Sequence, residues 1–501
     1  MLLFFPLLAI FSLTIIYLFL LPKHTKNNEP LLHPPPGPKG IPFIGNLHQF
    51  DASKPHVYLA ELAKTYGPII SLRFGRVPVV AVHSAKLAKE VLQTQDLNFC
   101  SRPPLVSMQR LSYNGLDMAF APYNEYLREI RKISIVHLLS SKRVDSFAPI
   151  RQEEVSRVMK KISSLSSASK IVNLSELLMG FSASNICRIA FGKRCEDDEG
   201  LSRRSKFHSM LNEAQAMFTS FFFSDYFPTI GWLDKLSGKF SRLEKIFKDM
   251  DAFYEEIIND HLAPNKPKSE REDIIDILLR LREHHPSYQL TLDHIKAILM
   301  NIFVAGADTS VVMVVWAMTE LIKHPESMNK VQEELRNAIQ NTNCINKCNF
   351  KELKYFQAVM KETFRLHPAG PLLVVRETIQ KTKIEGYDIL PGTLVHVNAW
   401  AIGRDPESWI DPEKFMPERF LESTIDFKGC DFELIPFGAG RRICPGLHLG
   451  VANVELVLAN LLHSFDWELP SGVKKEDIDT DVLPGIAMHK KNPLCLVAKK
   501  Y

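Results

Sequence analysis

Cysteine is scarce in this 501-residue chain: there are eight, and no two form a C-x-x-C pair. That excludes a secreted disulfide framework and fits a reducing compartment. Excess charge is missing too. The 61 Lys and Arg nearly cancel the 57 Asp and Glu, and a net +4 is too mild to argue for a nucleic-acid partner. No internal repeat is visible. A composition of 46% hydrophobic and 24% charged residues is close to the globular average, which excludes a disordered tail, a collagen or a coiled coil. A mean hydropathy of −0.06 excludes a polytopic membrane protein.

The sharpest local absence is of charge in residues 1–22, where Leu, Phe and Ile dominate. Such a run is just long enough to cross a hydrocarbon core of about 30 Å. It has no charged start and no small-x-small site, so it reads as an uncleaved, single-pass anchor and not as a signal peptide. Lys23, Lys26 and Lys39 follow it. The positive-inside rule places that side, and the rest of the chain, in the cytosol. Residues 23–50 form a basic, Pro-rich hinge with Pro34-Pro35-Pro36-Gly37-Pro38, a stiff extended segment. A length prior of roughly 150 residues per domain suggests three domains. No second linker divides the remainder, however, so residues 51–501 read as one catalytic body.

Within that body, 69–74 and 77–82 read as a β-hairpin around Gly75-Arg76. Helical patterns dominate afterwards, and strand-like pieces with Pro-Gly turns return near the end, so the class is mostly α with minor β. Residues 196–205 read as a charged loop before a Phe-rich stretch, 218–227. The 292–322 segment reads as one helix, apolar nearly all round, with Thr291 as N-cap and Asp293 in its first turn. Asp308 at its centre argues for a buried helix lining a cavity, because a charge at a bilayer centre costs about 2.5–3.5 kcal/mol.

The strongest chemical signal is Phe437-Gly438-Ala439-Gly440-Arg441-Arg442-Ile443-Cys444-Pro445-Gly446. Its glycines let a loop fold tightly around one sulfur. Arg442 is close enough to reach an anion beside that sulfur, and a thiolate needs such an electropositive setting. Five fixed positions (Phe437, Gly440, Arg442, Cys444, Gly446) match by chance far less than once in about a thousand chains of this length. Glu362 and Arg365, at i and i+3, share a helical face. Ala305 and Gly306 are small residues in mid-helix, where Gly costs about 1 kcal/mol, and a flat or diatomic group against the backbone would explain them. Asp308 and Thr309 offer a carboxylate and a hydroxyl for a proton relay. Thr309 is also placed to bond back to the Ala305 carbonyl.

The cysteine string resembles the haem-binding loop of the cytochrome P450 family. Glu362-Thr363-Phe364-Arg365 and Pro417-Glu418-Arg419-Phe420 are similar to the segments of its Glu–Arg–Arg cluster, and Ala305-Gly306-Ala307-Asp308-Thr309-Ser310 to its oxygen-binding motif. Order and spacing agree along nearly the whole chain. The anchor, the hinge and the loop sequence look most like plant microsomal enzymes of specialised metabolism.

This resemblance implies a single large haem-thiolate fold behind one N-terminal transmembrane helix. It implies haem b (iron protoporphyrin IX) with the Cys444 thiolate as axial metal ligand. Phe437, Gly440, Gly446, Ala305 and Gly306 would frame the haem, and Arg442, Arg376 and Arg131 would bind its propionates. Thr309 and Asp308 would deliver protons, and Glu362, Arg365 and Arg419 would form the structural cluster. The implied activity is NADPH- and O2-dependent oxidation of a lipophilic plant metabolite such as a terpenoid, alkaloid or phenylpropanoid, at the endoplasmic reticulum membrane. NADPH-cytochrome P450 reductase is the implied donor and cytochrome b5 a second candidate.

A haem-thiolate isomerase or dehydratase, or a ring-forming oxidase, is the alternative; the Asp308–Thr309 pair argues against the isomerase. Contacts to substrate would come from residues 102–120, the Phe-rich stretch, the central helix before Thr309, 371–375 and 483–486. Two positions depart from the family: Leu127 replaces a usual Trp that donates to a propionate, and Val375 replaces a usual Pro facing the substrate.

Overall fold

The alternating apolar residues after Gly67 form the expected hairpin. In the computed structural model, which describes residues 32–194, 201–264, 271–284, 289–339, 345 and 350–501, β1 (Ile69–Phe74) pairs antiparallel with β2 (Val77–Val82), Phe74 opposite Val77. Gly75, at the turn, has φ +58°, a conformation that favours glycine. The side chains of 201–208 and the expected anchor, residues 1–22, lie outside what is described.

The Pro-rich hinge is docked onto the body from Pro35 onward and does not stand free. Proline has no N–H, but its carbonyl still accepts: Pro36 O takes the Ser71 N–H at 2.7 Å, and Asn46 N–H donates to Arg73 O at 2.7 Å. Gly37 is packed so closely that a Cβ there would lie 1.9 Å from Ser71 O.

β1 and β2 belong to a four-stranded sheet completed by β3 (Arg376–Glu377) and β4 (Leu394–Val397), in the order β1-β2-β4-β3. β2 and β4 run parallel, and β3 lies antiparallel to β4 with Arg376 opposite Val395. This register fixes one of the expected propionate arginines at the sheet edge. A second sheet joins Val172–Asn173, Cys495–Lys500 and Phe465–Glu468, and a third is a two-stranded hairpin.

Helices make up most of the rest. The longer ones used below are α1 (Glu125–Ile133), α2 (Leu174–Phe191), α3 (Leu201–Phe218), α4 (Leu292–Gly306), α5 (Thr309–Lys323), α6 (Lys354–Leu366) and α7 (Leu447–Ser464). Two expectations are corrected. Residues 201–205, read as the end of a charged loop, begin α3. The 292–322 segment is two helices, because the chain breaks at Ala307 and Asp308, where Asp308 has φ −122° and ψ −52°. The expected start holds: the Thr291 hydroxyl accepts the His294 N–H, with Asp293 in the first turn.

Residues 292–323 are also, among the described residues, the stretch long and apolar enough to cross a membrane, and they are mostly buried inside the protein. An all-round apolar helix pair at the centre of the fold satisfies the same composition. The Phe-rich stretch divides: Phe218 and Phe222 are core, whereas Phe221, Phe223 and Phe227 are half-buried.

Candidate functional site

Cys444 lies on a loop between a short turn, Gly440–Arg442, and the start of α7. The loop is tight for a visible reason. Gly440 has φ +69°, and a Cβ there would meet Leu92 O at 2.0 Å, so no other residue fits. The Cys444 N–H donates to Phe437 O at 2.9 Å, closing the loop on itself. The thiol is free. Burial pushes the Cys444 thiol up, while the Gly446 N–H and the Arg131 guanidinium pull it down. A Cβ on Gly446 would touch the sulfur at 3.9 Å.

Four arginines surround this loop, all under a tenth exposed: Arg102, Arg131, Arg376 and Arg442. Arg442 Nε donates to Cys100 O at 2.7 Å, and one Nη donates to Ala121 O. Its other Nη1 is buried with no partner. Arg131, on α1, donates to Ile443 O at 2.7 Å. Arg376 reaches the Asp96 carboxylate at 2.8 Å and Ala439 O at 3.2 Å. Arg102 donates to the carbonyls of Ala119, Val374 and Val375. Burial, reinforced by Arg131 and Arg376, lowers Arg442 to about 10, and burial with the other three arginines lowers Arg102. Two carboxylates lie among them, Asp96 and Asp117, and burial raises Asp117 to about 6. Four guanidinium groups against two carboxylates leave two positive charges unmatched in a buried region. A dianionic group fits that deficit, and the unpartnered Nη1 of Arg442 offers it a donor.

Sequence reasoning found three of the four arginines and missed Arg102 as a charge and Asp96 altogether. Asp96 ties the loop down twice. Its Oδ1 accepts from Arg376 and its Oδ2 accepts the Arg441 N–H at 2.8 Å. Bonds to charged groups contribute about 1.5–3 kcal/mol each. Asp96→Ala is therefore expected to lower haem retention and melting temperature, and Asp96→Asn to lower them less. Haem per protein after gel filtration measures this; wild-type retention in Asp96→Ala would refute the tie.

The break between α4 and α5 lies beside α7, the helix that follows the cysteine loop: a Cβ on Gly450 would come 4.0 Å from the Ser310 hydroxyl and 3.8 Å from the Phe437 ring. Ala305 is exposed although Phe303 and Ala307 beside it are 0% and 1% exposed, so it borders an interior space. Gly306 has a different cause from the one expected: a Cβ there would meet Ile186 of α2 at 2.8 Å, so helix packing accounts for it. The Thr309 hydroxyl donates to Ala305 O at 3.0 Å, as its position in the helix predicts. Asp308 is 3% exposed and bonded to Gln215 and His489, two partners that sequence spacing did not suggest. Leu127 is buried in the apolar core.

The third constellation is fully assembled. Glu362, at 0% exposure, takes Arg365 at 2.7 and 2.8 Å, Arg419 at 3.1 Å and the Met416 N–H at 2.8 Å. Phe364, on the same helix, packs edge-on against Phe437 with ring centroids 5.6 Å apart. The cluster thus touches the cysteine loop through one aromatic pair.

The Cytochrome P450 family model matches residues 35–497. A 6,7,8-trihydroxycoumarin synthase of Pastinaca sativa is 48% identical over 478 residues, 94% of each chain. A 5-OH-xanthotoxin synthase of Ammi majus is 47% identical, covering 99% of this chain and 98% of its own. Among solved structures, a zebrafish cytochrome P450 with progesterone superposes with a TM-score of 0.75 at 24% identity, covering 89% of this chain and 99% of that one. A thiol loop ringed by unmatched buried arginines is what a haem carrying two propionates requires, and the chain belongs to the cytochrome P450 family, as a haem-thiolate monooxygenase with iron protoporphyrin IX as its prosthetic group.

Proposed function

We propose that this enzyme hydroxylates a flat, lipophilic aromatic plant metabolite of the coumarin and wider phenylpropanoid class. The carrying observation is the aromatic and aliphatic character of the core cluster that includes Val304, just before the helix break. Phe120 and Phe218 stack with centroids 4.9 Å apart at 29°, and Val304, Leu372, Val374 and Ile486 are half-buried against the same cluster. Stacked rings beside aliphatic side chains favour a planar, apolar guest. The coumarin-named relatives support the same class.

When bound, the haem supplies the redox chemistry that activates dioxygen. The protein residues do the rest. Cys444 would ligate the iron, and Arg442, Arg376, Arg131 and Arg102 would neutralise the propionates. Phe437, Gly440 and Gly446 keep the loop narrow, and Ala305 keeps the helix slim where it borders an interior space. Thr309 holds a hydroxyl at the helix break with the Asp308 carboxylate next to it in the chain, and the pair would hold and pass a proton there. The overall balance is substrate, O2, NADPH and one proton giving hydroxylated product, water and NADP+. Electrons arrive from NADPH-cytochrome P450 reductase, with cytochrome b5 as a second donor. Residues 1–22 hold the enzyme on the endoplasmic reticulum membrane with the haem domain in the cytosol.

Titration of the purified holoenzyme with xanthotoxin, a monoterpene and a benzylisoquinoline alkaloid tests the substrate class. Xanthotoxin is expected to give the largest substrate-induced Soret shift and, with reductase and NADPH, a product one oxygen heavier. Phe120→Ala is expected to weaken it up to about tenfold, since an aromatic pair contributes about 0.5–1.5 kcal/mol beyond area burial. A shift with the terpene alone would overturn the substrate class, and turnover without NADPH would overturn the monooxygenase chemistry.

A further inference from the structure

Asp308 occupies the break in the central helix, and its two carboxylate oxygens are treated differently. Oδ2 accepts two hydrogen bonds, from Gln215 Nε2 at 2.8 Å and from His489 Nε2 at 2.6 Å. Oδ1 is buried and has no partner. A buried carboxylate oxygen without a donor is costly unless water supplies one. The carboxylate is thus held by one oxygen and lacks a donor at the other, one residue before Thr309.

The two donors come from separate parts of the fold. Gln215 is on α3. His489 is in the C-terminal segment, and its backbone is firmly held. Trp316 of α5 donates its ring N–H to Met488 O at 2.7 Å, and the Met488 N–H donates to Ala369 O at 2.8 Å. The Leu483 N–H donates to His489 O at 2.8 Å, and Val482 bridges Lys490. The helix that follows the break therefore anchors the segment whose His489 bonds to Asp308. Two neighbouring helix carbonyls are also met by side chains: Gly306 O by the Ser182 hydroxyl and Ala305 O by Thr309. Asp308 is the group at the break that still has an unused buried acceptor.

We propose that His489 and Gln215 are positioning residues for proton delivery. By occupying Oδ2 with two donors, they fix the Asp308 rotamer that presents Oδ1 to the break, where it holds the water that hands protons to Thr309. This rests on the reading of Asp308 and Thr309 as the proton relay. A carboxylate freed from these donors has other rotamers available, and Oδ1 then no longer points to the water. A glutamine at 489 still offers an N–H, so the geometry survives His489→Gln but not His489→Leu.

The test compares His489→Leu, His489→Gln, Gln215→Leu and Thr309→Ala as full-length holoenzymes with reductase, using xanthotoxin as the probe. Three quantities are read: peroxide released per NADPH, the H2O/D2O rate ratio of NADPH consumption, and amide hydrogen exchange of residues 305–312 in the resting enzyme without turnover. Peroxide yield and solvent isotope effect are expected to rise in His489→Leu and Gln215→Leu, on the order of several-fold. Exchange at the break should rise with them, and His489→Gln should restore all three. Gln215→Leu keeps the test informative if the C-terminal segment of His489→Leu misfolds. If Thr309→Ala raises peroxide while His489→Leu and Gln215→Leu match wild type, the positioning role is refuted and the relay stands. If Thr309→Ala also matches wild type, the relay reading fails and this inference falls with it. Failure of His489→Gln to restore a loss seen in His489→Leu refutes a role through hydrogen-bond donation.

Discussion

Cys444→Ser is expected to abolish monooxygenase activity and the red-shifted Soret band of the reduced, CO-bound enzyme, while leaving the loop folded. Serine is nearly the same size, and the bonds that close the loop are backbone bonds, from Cys444 N–H to Phe437 O and from Ile443 N–H to Gly440 O. What is lost is the soft, anionic sulfur that pushes electron density onto iron. The loop already opposes the burial that raises this thiol, with the Gly446 N–H and Arg131 favouring the anion. The control is Cys100→Ser. Cys100, unlike the half-buried Cys444, is fully buried; burial and the nearby Asp96 push its thiol up to about 11, the signature of an inert structural cysteine. Cys100→Ser should keep the red-shifted band. A reduced CO difference spectrum of both variants decides the matter. Persistence of the band in Cys444→Ser would sink the ligand assignment, and its loss in Cys100→Ser would show that the signal tracks packing, not ligation.

The difference between these two cysteines shows what could be read from the sequence. Cys444 is legible because the loop that holds it is closed locally: glycines at 438 and 440 take positive φ, and the Cys444 N–H returns to Phe437 O. The β1–β2 hairpin is legible for the same reason, its pairing being set by a two-residue turn. Asp96, Arg102, Gln215 and His489 are not. Their partners lie 280, 273, 93 and 181 residues away, and no local spacing encodes such contacts. The helix break was half legible. Hydropathy periodicity sees one apolar run from 292 to 322, because the break at Ala307 and Asp308 does not interrupt burial. Gly306 was visible as an oddity, but its reason, the Ile186 side chain across the helix interface, belongs to packing.

Glu362→Ala is expected to yield protein that loses haem and melts far below the wild type, the largest stability effect of any single substitution considered. Arg365 has five N–H donors, and all five are used: two on Glu362, and the others on the carbonyls of Gly403, Pro412 and Lys414. Arg419 adds its Nε to Glu362 and its remaining nitrogens to the carbonyls of Ile410, Asp411 and Lys414. One carboxylate therefore pairs with two buried guanidinium groups that gather residues 403–416 onto α6. Removing it leaves two buried cations and an unanswered Met416 N–H, and loss of one partner from a buried pair costs about 3–5 kcal/mol. The damage should reach the haem. Phe364, two residues on, packs against Phe427 and Phe437, and Phe437 O receives the Cys444 N–H. A shift of α6 thus moves the aromatic platform beneath the cysteine loop. Glu362→Gln keeps the shape and an acceptor but not the charge, so it should be intermediate, whereas Lys330→Ala, on an exposed pair with Glu418, should cost under about 1 kcal/mol. Haem content and resistance to thermal inactivation should rise in the order Glu362→Ala, Glu362→Gln, Lys330→Ala. Haem-loaded, stable Glu362→Ala protein would show that the cluster is an incidental ion pair and that the loop is held by Asp96 and the arginines alone.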